Sequence, residues 1–170
     1  FIIYDAKSQQ VQVLCGVGRA PLDENAIAWY YANGIPDEGS YRAMPVPGAM
    51  HLCLTALELY GTRSFEEVLT PTLALLDTRC CEWYPALATT LRKMVECEQQ
   101  TSGTREQKLR AARDRFYRGD IGDDLVAWWQ ETGSFLRKSD LEAHITTLEA
   151  PVSVGYRGYV VHECNTWTQG

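Results

Sequence analysis

Residues 111–161 read AARDRFYRGDIGDDLVAWWQETGSFLRKSDLEAHITTLEAPVSVGYRGYVV. Two punctuated blocks, Phe116-Tyr117-Arg118-Gly119 and Tyr156-Arg157-Gly158-Tyr159, bracket two helical patterns. In the first, Ile121, Leu125, Trp128 and Trp129 recur at the spacing of a one-sided helix, and Gly133 stands where a left-handed C-terminal cap belongs. In the second, Ser139 and Glu142 offer a capping box, Leu141, Ile145 and Leu148 carry the apolar stripe, and Pro151 closes the segment. Val152, Val154, Tyr156 and Tyr159–Val161 are strand formers, with Gly158 as a bulge or tight bend.

Upstream, residues 1–15 read as a β-hairpin, which is marginal in water alone and must join a larger sheet. Gly16-Val17-Gly18-Arg19-Ala20-Pro21 is a glycine-bearing loop, with Pro21 placed as the first residue of a helix that Asn33-Gly34 ends. The loop is neither a dinucleotide fingerprint nor a P-loop, so a tight structural turn is its plain reading. Ile35–Pro47 is a proline-bearing linker. Ala49–Tyr60 is a helix ended by Gly61. Ser64 and Glu67 form a capping box before Phe65–Leu76, where Pro71 predicts a break or kink. Leu87, Leu91, Met94 and Val95 mark one more helix, and Leu109, Ala112 and Phe116 another.

A chain of 170 residues with 45% hydrophobic and 22% charged side chains suits a single globular core. The net charge of -6 offers no basic stripe for nucleic acid or an anionic membrane. The dense patch Arg105–Arg118 contains Glu106 and Asp114 and reads as a solvated helix face. No run of about 18 apolar residues occurs to span a bilayer. Phe1 is not a translational start, so any targeting segment would precede it. Six cysteines are scattered without a C-x-x-C pair, and Cys80-Cys81 are adjacent. Reduced thiols of a cytoplasmic protein are the expected state.

The chain shows no complete active site of its own. His144 falls on an apolar stripe and is expected to be packed. His51 opens a helix, and His162 lies in the terminal strand beside Cys164 with no second ligand pair near it in sequence. Asp123-Asp124 and Glu66-Glu67 are expected on solvated helix surfaces. Thr89-Thr90 and Thr146-Thr147 lie within helical patterns, whereas a threonine that uses its own α-amino group as base must be N-terminal. No catalytic residue, metal ligand or cofactor is assigned within the chain.

Several segments resemble, in order, the large subunit of the γ-glutamyltransferase (γ-glutamyltranspeptidase) family. They are Pro47-Gly48-Ala49-Met50 with Leu57–Gly61, Phe65–Pro71, and Ala111–Ile121 with its Phe-Tyr-x-Gly core. Gly133, Leu136, Asp140-Leu141 and His144 follow, then Pro151-Val152 with Tyr156-Arg157-Gly158-Tyr159. The resemblance implies an N-terminal-nucleophile hydrolase: an αββα sandwich whose precursor cleaves itself. A new N-terminal threonine then attacks a γ-glutamyl amide, and water or an amino acid resolves the acyl-enzyme. Asn165–Gly170 stands at the family's "PPSSGG" turn and departs from it. The family's substrate-binding arginine lies in a D-x-R-E-x-A-P loop. Aligned on Ala20-Pro21, Cys15 stands at the aspartate, Val17 at the arginine and Gly18 at the glutamate, with Arg19 two positions late. An amidohydrolase or acylase branch of the superfamily fits this departure equally well.

The expected fold is therefore α+β. Residues 1–170 form a single partial domain, the mainly helical large-subunit part of an αββα sandwich, with a β-hairpin at 1–15 and a strand near 152–162. Both β segments are expected in one sheet completed by chain outside this sequence. Arg19 is the one expected substrate contact. The implied partners are a small subunit carrying the nucleophilic threonine and a small-molecule amide substrate. A non-enzymatic helical interaction domain, or a pseudoenzyme of the same fold, is the alternative.

Overall fold

The computed structural model describes residues 1–37, 39–78 and 83–168. Cys80, Cys81 and the last two residues of the Asn165–Gly170 turn lie outside them. Strands β1 (Ile2–Asp5) and β2 (Gln10–Cys15) form the expected hairpin, with Ile2 opposite Val13 and Asp5 opposite Gln10. Helices α1 (Glu24–Asn33), α2 (Ala49–Tyr60), α3 (Phe65–Asp77), α4 (Trp83–Gln100), α5 (Arg105–Tyr117), α6 (Asp120–Thr132) and the short α7 (Lys138–Glu142) follow. Strand β3 (Thr147–Glu149) then pairs antiparallel with β2, and β4 (Val152–Tyr156) with β5 (Tyr159–Glu163) forms a separate hairpin. No described helix is long and apolar enough to cross a membrane.

The core lies between α2, α3, α4, α5 and α6. Leu54, Phe65, Met94, Leu109, Ala112, Tyr117, Ile121 and Trp129 meet there, joined by Leu136 and Leu141 from the chain after α6. Trp129 and Ile121 bury the predicted face of α6, whereas Trp128, on the same stripe, stays 41% exposed and meets Tyr41 edge-on. Gly133 adopts the left-handed conformation (φ 74°) that ends α6.

Helix α3 begins with its first-turn donors satisfied. Ser64 Oγ accepts from Glu67 N–H, and the Glu67 carboxylate accepts from Ser64 N–H, as the capping box predicts. The two intervening N–H groups, of Phe65 and Glu66, donate to the two oxygens of Glu98 at 2.7 and 2.9 Å. Glu98 comes from α4 and is 4% exposed, so a buried carboxylate binds two helices together. The helix is not broken at Pro71 but continues from Phe65 to Asp77. Pro71 and Glu67 are both exposed, so the Glu67 carbonyl that loses its helical partner faces water and not the core.

Four further expectations are corrected. Pro21 does not start α1. Asp23 caps the helix by accepting from Asn25 N–H, leaving Pro21 and Leu22 in the loop. The helix expected to run from Ser139 to Leu148 stops at Glu142, so Thr146-Thr147 are not helical and Thr147 opens β3. Ile145 and Leu148 are about half exposed (51% and 50%), and the 3.6-residue spacing there was coincidental. The cap of α7 is made by Asp140, which accepts from Arg137 N–H, not by Ser139 and Glu142. Finally, residues 151–163 do not share a sheet with 1–15: β3 takes that place. A two-residue turn at Arg157-Gly158, both at positive φ (48° and 86°), folds β4 back onto β5.

Glu98→Ala is expected to cost about 2–3 kcal/mol, the worth of hydrogen bonds to a charged group whose partners are left buried. Urea denaturation of wild type and variant would check it. Glu66→Ala, at an exposed position, should change the midpoint little.

Candidate functional site

The loop Gly16–Pro21 leaves β2 and is fixed at both ends. Its start packs so closely that a Cβ on Gly16 would lie 2.5 Å from Leu52 Cβ, and one on Gly48 would lie 2.0 Å from the Gly16 carbonyl oxygen. The bare Gly48 Cα lets the Gly16 carbonyl approach, and the bare Gly16 Cα makes room for the Leu52 side chain. In the middle, Arg19 C=O accepts from Val46 N–H at 3.0 Å. Beyond Pro21, Leu22 N–H donates to Asp140 Oδ1 at 2.7 Å, while the other Asp140 oxygen caps α7 at 2.6 Å. Asp140 is 3% exposed, so one buried carboxylate joins the loop to α7.

Behind the loop stands a polar group of four side chains, of which Tyr117, His144 and Thr146 are buried and His51 is half-buried. Tyr117 Oη donates to the Pro47 carbonyl at 2.6 Å and accepts from His51 N–H at 2.9 Å. His51 Nδ1 accepts from Thr146 N–H at 3.1 Å and lies 2.9 Å from Thr146 Oγ1. The proton of neutral His51 therefore sits on Nε2. His144 stacks on Tyr117 (centroids 5.6 Å apart) and meets His51 edge-on at 5.4 Å, with both ring nitrogens buried and unpartnered among the described residues. Burial, then the nearby Arg113 guanidinium, pushes His51 down to about 4. Burial, then the positive charge of Arg19, lowers His144 as well. Burial raises the Tyr117 hydroxyl to about 12. These groups are thus neutral near pH 7.

Arg19 itself is exposed and makes no side-chain hydrogen bond or ion pair among the described residues. Its chain neighbours Gly18 and Ala20 line an apolar cleft of about 550 Å³ with Ile27, Tyr30 and Met44, and Arg19 is not among the lining residues. The structure brings Arg19 into the electrostatic neighbourhood of His144, which sequence reading treated only as a packed residue. Sequence reading also missed Asp140 as a brace and the pairing of His51 with Thr146. The one local signal was His51 and Thr55 on a shared helical face. The Thr146–His51 contact is no nucleophile–base pair in the usual sense, because Nδ1 already accepts a backbone N–H and no carboxylate orients Nε2 among the described residues. Among those residues, no three His, Cys, Asp or Glu side chains converge to hold a metal ion.

A helical layer with a small sheet is the α+β arrangement of the large-subunit portion of an N-terminal-nucleophile hydrolase. The chain belongs to the gamma-glutamyltranspeptidase family, whose sequence model matches residues 81–170. It is 26% identical to the glutathione hydrolase-like YwrD proenzyme of Bacillus subtilis, over 100% of this chain and 37% of that protein. The gamma-glutamyltranspeptidase of Helicobacter pylori superposes with a TM-score of 0.71 at 18% identity, covering 99% of this chain and 56% of that one. A cephalosporin acylase from Bacillus halodurans superposes with a TM-score of 0.66 at 21% identity, covering 95% and 36%. At those identities the two structures establish the fold alone. The chain spans 37% and 30% of the length of two curated relatives it matches.

Two outcomes follow from the geometry. An unfolded chain binds a proton at His51 below its ordinary value of 6.5, but the folded one does so only near 4, so stability is complete above pH 6.5 and falls between 6.5 and 4. With solvent screening, about 1–2 kcal/mol should be lost on going from pH 7 to pH 5. His51→Asn, which retains an acceptor for Thr146 N–H, should remove the His51 share of that slope in denaturant titrations and leave the share due to His144. Gly48→Ala should push Gly16 away, lowering stability by about 2 kcal/mol or more and raising the susceptibility of residues 16–22 to limited proteolysis.

Proposed function

We propose that this chain is the large-subunit part of a self-processed enzyme that hydrolyses or transfers the acyl group of a small amide. The nucleophile is an N-terminal threonine contributed by polypeptide outside these residues. Its hydroxyl adds to the amide carbonyl, the amine leaves with a proton, and water or an acceptor amine releases the acyl group. The chain's own task is to hold the substrate and shape the floor of the site. Its family membership, and the word proenzyme in the name of its Bacillus subtilis relative, support that reading.

One observation carries the assignment of substrate contact to this chain. Arg19 is an exposed guanidinium on a braced loop, with no anion beside it among the described residues. A substrate carboxylate would supply the missing partner, bound by charge-assisted hydrogen bonds. The neutral His51, His144 and Tyr117 behind the loop add no competing negative charge. Because Val17 occupies the place of the family's arginine, the carboxylate is offered a guanidinium two residues further along, and the acylase branch remains the second reading. The cephalosporin acylase superposition supports it at the level of fold.

The test uses the mature, full-length protein and paired amide substrates with and without a free carboxylate. Arg19→Ala should raise KM for the carboxylate-bearing member by roughly tenfold to a hundredfold, the worth of a hydrogen bond to a charged group. The uncharged member should be unaffected. Equal KM values for wild type and variant on the carboxylate substrate would remove Arg19 from the site. Arg19→Lys should recover only part of the loss, since it restores charge without the planar fork.

A further inference from the structure

A second cleft, about 490 Å³ in volume, opens between α2, α5 and the segment leading into β3. Arg110, Arg113 and Arg118 line it from α5 and its C-terminal end, with His51 and Glu58 from α2. These arginines belong to the dense basic patch noted in the sequence. The patch is not simply a solvated face: Arg113 has a side chain only 17% exposed, and Glu58 only 7%.

The hydrogen-bonding inventory of this cleft is one-sided. Both Glu58 oxygens are engaged, Oε1 by Arg110 at 2.6 Å and Oε2 by Arg113 at 3.1 Å. Arg113 uses only Nη1, toward Glu58 and Thr55 Oγ1. Its Nε and Nη2 donors therefore have no partner among the described residues. Arg110 Nη1 is likewise unengaged. Arg118 spends Nη1 on Asp114 and Nη2 on the Glu142 carbonyl, leaving Nε. His51 adds its Nε2–H, because Nδ1 is occupied as an acceptor. The three guanidinium groups make their ion pairs with two carboxylates, Glu58 and Asp114, while Glu106 acts on Arg110 only through space. The unspent guanidinium and imidazole valences are all donors, and each oxygen of the carboxylate lining the cleft already accepts from an arginine. This arrangement stands out in a chain whose net charge is -6.

We propose that this cleft binds a small oxyanion, with Arg113 as the anchoring donor and Arg110, Arg118 and His51 Nε2–H closing around it. Guanidinium groups match the paired oxygens of phosphates and carboxylates. The buried Arg113–Glu58 pair holds the anchor in place before the ligand arrives. Arg19 does not line the cleft, which shares only His51 and Thr146 with the polar group behind the loop, and the site does not depend on the amide chemistry proposed above.

The experiment is calorimetric titration of the full-length protein at pH 7 and fixed ionic strength, with inorganic phosphate in one arm and citrate in the other. Chloride serves as the reference. Saturable binding of phosphate alone, of citrate alone, or of both identifies the source as phosphate, carboxylate or either. Arg118→Gln and Arg110→Gln, both at well-exposed positions that leave the Arg113–Glu58 pair intact, should each weaken binding by about tenfold. Arg19→Ala should leave it unchanged, and amide hydrolysis need not be measured. No saturable binding in either arm overturns the proposal. So does binding that survives in the Arg110→Gln/Arg118→Gln double variant, or that disappears with Arg19→Ala.

Discussion

The hydroxyl of Tyr117 is the point on which the arrangement turns. It donates to the Pro47 carbonyl and accepts from His51 N–H, so one oxygen pins the start of α2 to the end of α5. The position of Gly48 follows from that pin, and the loop that carries Arg19 is set by the contact between Gly48 and Gly16. A tyrosine at 2% exposure can serve this way only because both lone-pair and proton demands of its oxygen are met. The Phe-Tyr-x-Gly block thus has a mechanical meaning. Phe116 fills the core, Tyr117 ties two helices, and Gly119 precedes α6.

Buried carboxylates repeat the same logic elsewhere. Glu98 closes the first turn of α3 from a neighbouring helix, and Asp140 closes α7 while holding Leu22. Each acidic group is taken out of water and surrounded by backbone donors, which compensate for the lost hydration. At the opposite pole of a helix, Arg105 donates to the carbonyls of Leu57 and Glu58 at the end of α2. The helical layer is therefore joined by charged side chains at helix ends as well as by its apolar core.

The parts that were legible in the sequence are those whose causes are local. Ser64 with Glu67, the Ile121–Trp129 stripe and Gly133 each specify a helix boundary or face within a few residues, and the structure shows them. The family resemblance, resting on ordered short motifs, identified the fold class and the kinship. What the sequence concealed were contacts between distant positions. Nothing near Thr146 announces that its N–H will meet His51, ninety-five residues away. Residues 143–148 look helical by spacing, yet α7 stops at Glu142 and pairing with β2 draws Thr147–Glu149 into a strand, a case of tertiary context overriding local pattern. Arg19 was noticeable as a lone cation on a glycine loop. Its bracing by Val46 and Asp140, and its electrostatic reach to His144, needed the fold.

The bond from Leu22 to Asp140 spans 118 residues, and β2 meets β3 across a similar interval. Helices α2 to α6 pack mainly against sequence neighbours, so their assembly closes short loops, while the Arg19 loop waits on closure of a very long one. In time, then, the helical layer is expected to form first and the loop to dock last. A chain halted part-way would own a sound helical core while the loop that carries Arg19 stayed unbraced. The fixed position of that guanidinium is in this sense the final event of folding, available only once Leu22 and Asp140 have met.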